Sequence, residues 1–215
     1  MIHVKEKANK IFLDFDITLI NVSSNHSVNL YTLADTLKKQ IETVYTGNIG
    51  VFEMHCQVAI RPFYKYKLKQ LYGKLVFAVA DKITNENVAE ADFCGSLVKL
   101  NAKHIASFIS GNNSRTIPHE VGHLLGFDHP HAKAMFDSVN PGSSLYEKNM
   151  TEAERRVNLM SQSWYIQKAG NALNKSVLLT ENQVRLLLEN FYTGKLNKNY
   201  SLIKKFIGYK WVSEM

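Results

Sequence analysis

The chain has little of several features that mark well-known classes of protein. It contains only two cysteines, Cys56 and Cys94, in 215 residues, which excludes a disulfide-rich scaffold. No stretch approaches the roughly 18 consecutive apolar residues of a transmembrane helix. The N-terminal sequence MIHVKEKANKIFLDF lacks the uninterrupted apolar segment of a signal peptide. Repeats and low-complexity segments are also missing, so neither a solenoid nor a disordered chain is expected.

What is present suits one globular domain. Hydrophobic residues make up 45% and aromatic residues 11% of a 24.5 kDa chain. A chain of this length buries roughly 70% of the surface that it exposes when unfolded, so it does not need a metal ion merely to fold. A metal site in this sequence therefore need not be structural.

The charge balance is basic, with a formal net charge of +7 and a pI near 9.3. A basic charge favours binding to acidic partners. Alternatively, the basic residues only form a solvated surface. The stretch RPFYKYKLKQLYGK (61–74) interleaves basic and aromatic residues, which can bind single-stranded nucleic acid or lipid headgroups. Because it lies between two predicted strands, we interpret it as a solvated connection and expect no nucleic-acid partner. The basic, aromatic tail at 195–215 has no clear assignment, and a membrane interface is an alternative for it.

The first half of the chain predicts a sheet with one helix packed on it. Alternation predicts a strand at 11–20, and apolar steps of three and four predict a helix over 27–45 that ends near Gly47. Further strands are predicted at 51–62 and 74–83, and 95–110 reads as a fourth strand or as a hairpin that turns at Asn101. The expected buried faces of the first strand and the helix are Ile11, Leu13, Phe15, Ile17 and Leu19, and Val28, Tyr31, Ala34, Leu37, Ile41 and Val44.

The second half predicts helices around a long loop. A second helix is expected within NNSRTIPHEVGHLLGFDH (112–129), with Thr116 or Ser114 as its N-cap, Pro118 in its first turn and Gly126 as its stop. Residues 130–149 have no clear pattern and predict a long loop. Capping boxes at Thr151/Glu154 and at Thr180/Gln183 predict a short helix and a longer one that ends at Gly194. The longer helix would bury Val184, Leu187, Leu188 and Phe191.

The stretch HEVGHLLGFDH (119–129) carries the strongest functional signal. Residues four apart lie on one face of a helix, so His119 and His123 can aim ring nitrogens at one metal ion. Glu120 is rotated by about 100° around the helix and can reach a water on that metal, which suits a general base.

A third histidine can complete the site. Gly126 allows the chain to leave the helix in a sharp turn, and His129 follows three residues later. Three imidazoles and a water form an open, catalytic zinc site, whereas a structural site has four protein ligands. A helix with three unrelated histidines is the alternative, which the fixed spacing makes improbable.

This motif resembles the extended zinc signature of the metzincin clan of metalloendopeptidases. Members also carry a methionine in a tight turn beneath the zinc, and RVNLMSQSW (156–164) is similar to that Met-turn, with Met160 below the site. Met150 and Met135 are rivals for this role. The resemblance implies one Zn²⁺ ion held by His119, His123 and His129, with Glu120 as the general base.

The resemblance also implies a fold. We expect an α+β, zincin-like domain over 1–215: a twisted mixed sheet with a backing helix and an active-site helix, and a small irregular C-terminal subdomain with a final helix. The N-terminal subdomain would span 10–126, the C-terminal subdomain 127–194, and the basic aromatic tail 195–215.

Several residues near the motif have two interpretations. Some metzincins have a tyrosine ligand two residues after the methionine, but Gln162 stands there, and Tyr165 has the wrong spacing. Asp128 either accepts a hydrogen bond from a ligand imidazole or helps to end the helix. His131 is expected to be exposed and not to be a ligand. Cys56 and Cys94 either form a disulfide or remain buried thiols.

The expected function is that of a zinc-dependent endopeptidase. Zinc would activate a water, Glu120 would transfer its proton to the leaving amine, and the polypeptide substrate would lie extended in a cleft. Segment 95–110 is expected to supply the edge strand for that substrate, and the loop at 130–158 an apolar pocket with Phe136, Val139, Leu145 and Tyr146. The alternatives are a catalytically silent zinc-binding module with a basic surface, and a zinc amidase that acts on small substrates.

The sequence does not determine the cellular location or the oligomeric state of the protein. A protein of this family is expected to be secreted, periplasmic or at the cell surface once a leader is removed, although no leader is visible in MIHVKEKANKIFLDF. We expect a monomer without a transmembrane segment.

Overall fold

A computed structural model describes residues 1–65, 71–130, 150–168 and 173–198. Its strands are β1 (Ile2–Lys7), β2 (Lys10–Asn21), β3 (Gly47–Ile49), β4 (Phe52–Phe63), β5 (Leu75–Ala80), β6 (Ala89–Ala91) and β7 (Leu97–Asn101). Its helices are α1 (Leu30–Tyr45), α2 (Ile105–Ile109), α3 (Thr116–Leu124), α4 (Glu152–Val157), α5 (Ser163–Lys168) and α6 (Glu181–Tyr192). Short 3₁₀ turns lie at Thr84–Glu86, Ala102–His104 and Leu173–Lys175.

The strands form one mixed sheet in the order β3-β4-β2-β5-β7-β6, with β1 paired to β2 beside that path. Strands β4, β2, β5 and β7 are parallel, whereas β1, β3 and β6 pair antiparallel with their neighbours. The predicted α+β class with a mixed sheet is confirmed. Strands β1, β3 and β6 were not predicted, because strands of three residues carry no readable alternation and β1 alternates mainly in charge.

The main core lies between one face of the sheet and α1. The predicted inward face of β2 is confirmed, since its five apolar residues are at most 2% exposed. Strand β5 is buried along its whole length, as is typical of a central parallel strand covered on both faces. Helix α1 begins at its N-cap Asn29, whose side chain accepts hydrogen bonds from the backbone of Tyr31 and Thr32.

The buried stripe of α1 differs from the predicted one at its start. Tyr31 is 63% exposed, and Leu30 and Leu33 point inward instead. The prediction took Tyr31 because it is a step of three from Val28, whereas the helix turns Leu30 inward. At the other end of the helix the buried Tyr45 donates its hydroxyl to the carbonyl of Pro118 at 2.8 Å, which joins α1 to α3.

The structure of segment 95–110 differs most from the prediction. Only Leu97–Asn101 is a strand, and the chain then turns into the 3₁₀ segment and α2. The Asn101 side chain accepts a hydrogen bond from the backbone N–H of Lys103, and therefore starts this helical segment and not a hairpin. The predicted N-cap of α3 was also wrong: the N-cap position is Arg115, which makes no capping bond with its side chain.

The C-terminal helices follow the sequence closely. Both capping boxes, at Thr151/Glu154 and Thr180/Gln183, are present. Helix α6 buries its predicted aliphatic face, but Phe191 is 36% exposed and does not belong to that face. Its last turn is followed by Gly194 at φ +65°, as expected of a residue just beyond a helix.

Some predictions fall outside the described residues. These are the loop pocket with Phe136, Val139, Leu145 and Tyr146, the rival Met135, His131, the middle of the basic stretch 61–74, and the tail beyond 198. The backbone of Tyr165 is described in α5, but its side chain is not. In the part of the chain that is described, no helix has the length and apolar character needed to cross a membrane.

Candidate metal centre

Helix α3 and the turn after it bring the three predicted histidines together. His119 and His123 lie one turn apart on α3, and the helix ends in a tight turn in which the N–H of Phe127 donates to the carbonyl of Gly122 at 2.9 Å. Gly126 has a φ of +86°, a conformation that favours glycine. The chain therefore reverses within three residues and returns His129 to the helix.

The imidazole nitrogens of this cluster converge on one point. The Nε2 atom of His129 lies 3.0 Å from Nε2 of His119 and 3.2 Å from Nε2 of His123. Two nitrogens bound at 2.0–2.1 Å to a tetrahedral zinc are about 3.3 Å apart. Among the described residues, these three form the group of histidine, cysteine and carboxylate side chains that are placed to hold a metal ion. The donor set fits zinc.

The opposite ring nitrogens fix the orientation of the cluster. Nδ1 of His119 lies 2.9 Å from the carbonyl of Leu159, and Nδ1 of His123 lies 2.9 Å from the carbonyl of Phe127. A carbonyl only accepts, so each Nδ1 carries the proton and each Nε2 presents its lone pair to the common point. Nδ1 of His129 lies 3.4 Å from the amide nitrogen of Gln162.

Burial also keeps these rings in the form that binds metals. Desolvation, followed by the charges of His123, His129 and Arg115, lowers the pKa of His119 well below its usual value. Desolvation lowers the pKa of His123 to about 4. Both imidazoles are therefore neutral at pH 7, as metal ligands must be.

Glu120 lines the same cleft and is almost completely buried, with 7% of its surface exposed. Burial, followed by the charge of Glu90, raises the pKa of its carboxyl to about 8, against the effects of the Ala91 N–H and of Arg115. A carboxyl with this pKa both holds and releases protons at neutral pH.

Met160 lies directly against the site helix. It is completely buried, and a Cβ on Gly122 would overlap its Sδ atom. The Met160 N–H donates to Oδ1 of Asn158 at 2.9 Å, and the Asn158 side chain is in turn bonded to Gln183 of α6. The rival Met150 is also buried but takes no part in this turn.

Gly126 has a steric role in addition to its φ. A Cβ there would overlap the Asn190 amide and lie 2.8 Å from the Sγ atom of Cys94. Cys56 and Cys94 are both free and buried, so they remain thiols and the disulfide interpretation is not adopted. Oδ1 of Asp128 accepts the backbone N–H of His129 at 2.7 Å, so its contact with the site is to the chain and not to an imidazole.

Arg115 is the residue of this site that the sequence analysis missed. It precedes α3 by one residue, is 5% exposed, and donates from Nε to the carbonyl of Ser176 at 2.8 Å. Its Nη2 donates to the carbonyls of Leu159 and Ser161, on either side of Met160. The Leu159 carbonyl thus accepts hydrogen bonds from both Arg115 and His119. Its partners are backbone carbonyls far along the chain, so no side-chain pattern in the sequence marked Arg115.

A cleft of about 580 Å³ opens over the histidines. Strand β6 borders it on one side, and Gln162 and Ser163 border it on the other. The predicted edge strand in 95–110 was wrong: β7 is paired on both sides, and β6 is the outer strand next to the cleft.

No protein-family model matches the chain, and no curated protein matches it. Solved structures with some likeness include archaemetzincin from Methanopyrus kandleri, at 13% identity over 83% of this chain and 96% of that one, with a TM-score of 0.43. Archaemetzincin from Archaeoglobus fulgidus, complexed with malonate, gives 16% identity over 79% and 98%, with a TM-score of 0.39. Metalloproteinase-II from Bacteroides fragilis gives 12% over 86% and 54%, with a TM-score of 0.41.

These TM-scores are all below 0.5, so the interpretation rests on the geometry of this chain. A mixed α+β sheet, a helix that carries two histidines, and a third histidine returned by a glycine turn fit a metzincin-like zinc metallopeptidase.

Proposed function

We propose that the protein is a zinc-dependent endopeptidase with Glu120 as its general base. One observation carries the proposal: three histidine Nε2 atoms converge at the floor of a cleft that Glu120 also lines. A structural zinc site has four protein ligands, whereas this cluster offers three and opens into space large enough for a peptide. A binding module has no need for a buried carboxyl beside such a cluster.

His119, His123 and His129 would hold one Zn²⁺ ion. When bound, zinc supplies Lewis acidity, which lowers the pKa of a water and polarises a carbonyl group. A protein side chain carries out the proton transfers. Glu120 accepts a proton from the attacking water and delivers it to the nitrogen of the leaving amine. Burial raises the pKa of this carboxyl to about 8 in the metal-free site, and the charge of a bound Zn²⁺ ion would favour the ionised form that a general base requires.

Strand β6 would bind the substrate. Its outer edge has no strand partner among the described residues, and it borders the cleft beside Glu120. An extended peptide can pair with such an edge by backbone hydrogen bonds, which place the peptide without restricting its side chains. Met160 and Gly126 would support the site from below, by filling the space under α3 and by returning His129.

The test is cleavage of a mixed peptide library by the zinc-loaded protein, with Glu120→Gln beside it. The amide keeps the shape of the side chain but cannot act as a base. Cleavage by the wild type and loss by at least about 100-fold in the variant is the expected result. Equal cleavage by both would reveal a contaminating protease.

Two results would favour other functions. Hydrolysis of small amides but not of peptides would indicate an amidase. Zinc binding and salt-dependent binding of polyanions, without hydrolysis, would indicate a catalytically silent module with a basic surface.

The proposal also covers the oligomeric state, the subdomain boundary and the location of the enzyme. We propose a monomer whose two subdomains meet at residues 126 and 127, and a location outside the cytoplasm. Sedimentation of the purified protein and fractionation of cells that express the full reading frame would test these points.

A further inference from the structure

Arg115 brings a buried cation to the cleft, and the protein uses only part of its guanidinium. Nε and Nη2 donate to three backbone carbonyls, those of Ser176, Leu159 and Ser161. Within the described ranges, Nη1 makes no hydrogen bond and no carboxylate forms an ion pair with the group. Arg115 is nevertheless one of the residues that line the cleft, as are His119 and Gln162.

A guanidinium in this state is suited to bind an anion. Carbonyl dipoles compensate a buried charge only in part, and a charge taken out of water costs several kcal/mol unless a counter-charge is present. Arginine presents its donors in a planar fork that matches a carboxylate. A substrate carboxylate is therefore the chemical group that the remaining donors of Arg115 would recognise.

The carboxylates that already line the cleft are committed elsewhere. Glu90 accepts Nζ of Lys99 at 2.6 Å and the backbone N–H of Thr84 at 3.0 Å. Glu120 accepts the N–H of Ala91, and its charge interacts with that of Arg115 without a hydrogen bond between the two side chains. Among the described residues that line the cleft, Arg115 is the charged group with hydrogen-bond donors left for a ligand.

The distance of Arg115 from the histidine cluster indicates which part of a substrate it could contact. Arg115 and His119 are one helical turn apart and share the Leu159 carbonyl. Four residues of helix rise about 6 Å, whereas an extended peptide advances about 3.4 Å per residue. A carboxylate bound by Arg115 would thus belong to one of the two substrate residues nearest the scissile bond.

We propose that Arg115 determines specificity by binding a substrate carboxylate beside the scissile bond. The preferred substrates are peptides with Asp or Glu at that position. This inference rests on the proposed peptidase function. It gives Arg115 a role toward the substrate in addition to its contacts with the turn around Met160.

Matched peptides that differ only by Glu or Gln next to the scissile bond test the proposal. We expect wild-type kcat/KM to favour the Glu peptide by about tenfold or more, since a hydrogen bond to a charged group is lost in the Gln peptide. Arg115→Met should remove the preference, and Arg115→Lys should retain a reduced one. The ratio is taken within each variant, so a general loss of activity does not affect it. A wild-type ratio near one would overturn the proposal.

A binding measurement separates this inference from the proposed function. Zinc-loaded Glu120→Gln, titrated calorimetrically with each peptide, should bind the Glu peptide about tenfold more tightly even if the wild type hydrolyses neither. If Arg115→Met does not fold, the guanidinium NMR signals of Arg115 in Glu120→Gln should shift with the Glu peptide and not with the Gln peptide. Equal affinities, or unmoved signals, would refute it.

Discussion

Gly122 and Met160 are in direct contact, so that the site helix rests on the thioether. A Cβ on Gly122 would overlap Met160 Sδ, lie 3.1 Å from its Cε and lie 3.3 Å from the ring of Phe127. Gly122 is one residue before His123, and Met160 is one residue after Leu159, whose carbonyl orients His119. The contact therefore joins the helix that carries His119 and His123 to the turn whose Leu159 carbonyl orients His119.

We predict that Gly122→Ala destabilises the protein by about 1–3 kcal/mol, because the added methyl has no room. Met160→Ala should also destabilise it, by about 2–5 kcal/mol, through the cavity that it leaves. The double variant should cost less than the sum, since the alanine methyl enters that cavity. Urea denaturation of the four proteins gives the coupling energy, and strict additivity would contradict the contact.

Zinc should stabilise the fold through His129 in particular. We predict that zinc at 100 times its Kd raises the free energy of unfolding of the wild type by about 2.7 kcal/mol. His129→Ala should lose most of this increment. It should leave the metal-free protein nearly unchanged, because His129 lies beyond the helix and the carbonyl contacts of His119 and His123 remain.

The matched control is His26→Ala, which removes an exposed histidine outside the cluster. It should retain the full response to zinc. Denaturation with and without zinc checks both variants, and a zinc titration that ends at one equivalent would support a single site. An undiminished increment in His129→Ala would mean that zinc binds elsewhere.

Glu120 should destabilise the metal-free protein as the pH rises. Its folded pKa is about 8, whereas the unfolded value is near 4.5. The folded state thus holds a proton that the unfolded chain loses, and the free energy of unfolding falls between pH 4.5 and 8. We predict that metal-free Glu120→Gln is about 2–3 kcal/mol more stable than the metal-free wild type at pH 8, and similar to it near pH 4.5. Urea denaturation in a chelator measures this, and an unchanged or lower stability at pH 8 would contradict it.

The histidines give a pH dependence of the opposite sign. The folded pKa of His123 is about 4 and its unfolded value 6.5, so the unfolded chain binds the extra proton as the pH falls. Metal-free Glu120→Gln, in which the carboxyl no longer titrates, should lose about 1–2 kcal/mol between pH 7 and pH 5. Removing the imidazole with His123→Ala should flatten this slope. A stability that stays constant over that range in the parent variant would show that the rings are accessible to protons.

The sequence predicted the histidine cluster and the central strand because both are set by local spacing. His119 and His123 are four residues apart on one helix, and β2 alternates along its buried half, so each pattern is complete within a few residues. Arg115 was missed for the opposite reason. Its contacts are carbonyls 44 to 61 residues away, and no side-chain pattern marks a backbone acceptor. The prediction for 95–110 was wrong because its apolar residues fit both the two-residue period of a strand and the 3.6-residue period of a helix. The side chain of Asn101, which caps the helical segment, determines where the strand ends.

The two cysteines give a prediction that needs neither zinc nor substrate. Burial raises the pKa of the Cys56 thiol to about 12, and burial also raises that of Cys94. A thiol reacts as its thiolate, so both should resist alkylation at pH 8 in the native protein. In urea, thiol titration should count two groups per chain, with or without prior reduction. Cys94 is packed against Gly126, so Gly126→Ala should loosen its surroundings and make it the first to react. Detection of fewer than two thiols in unreduced, unfolded protein would restore the disulfide interpretation.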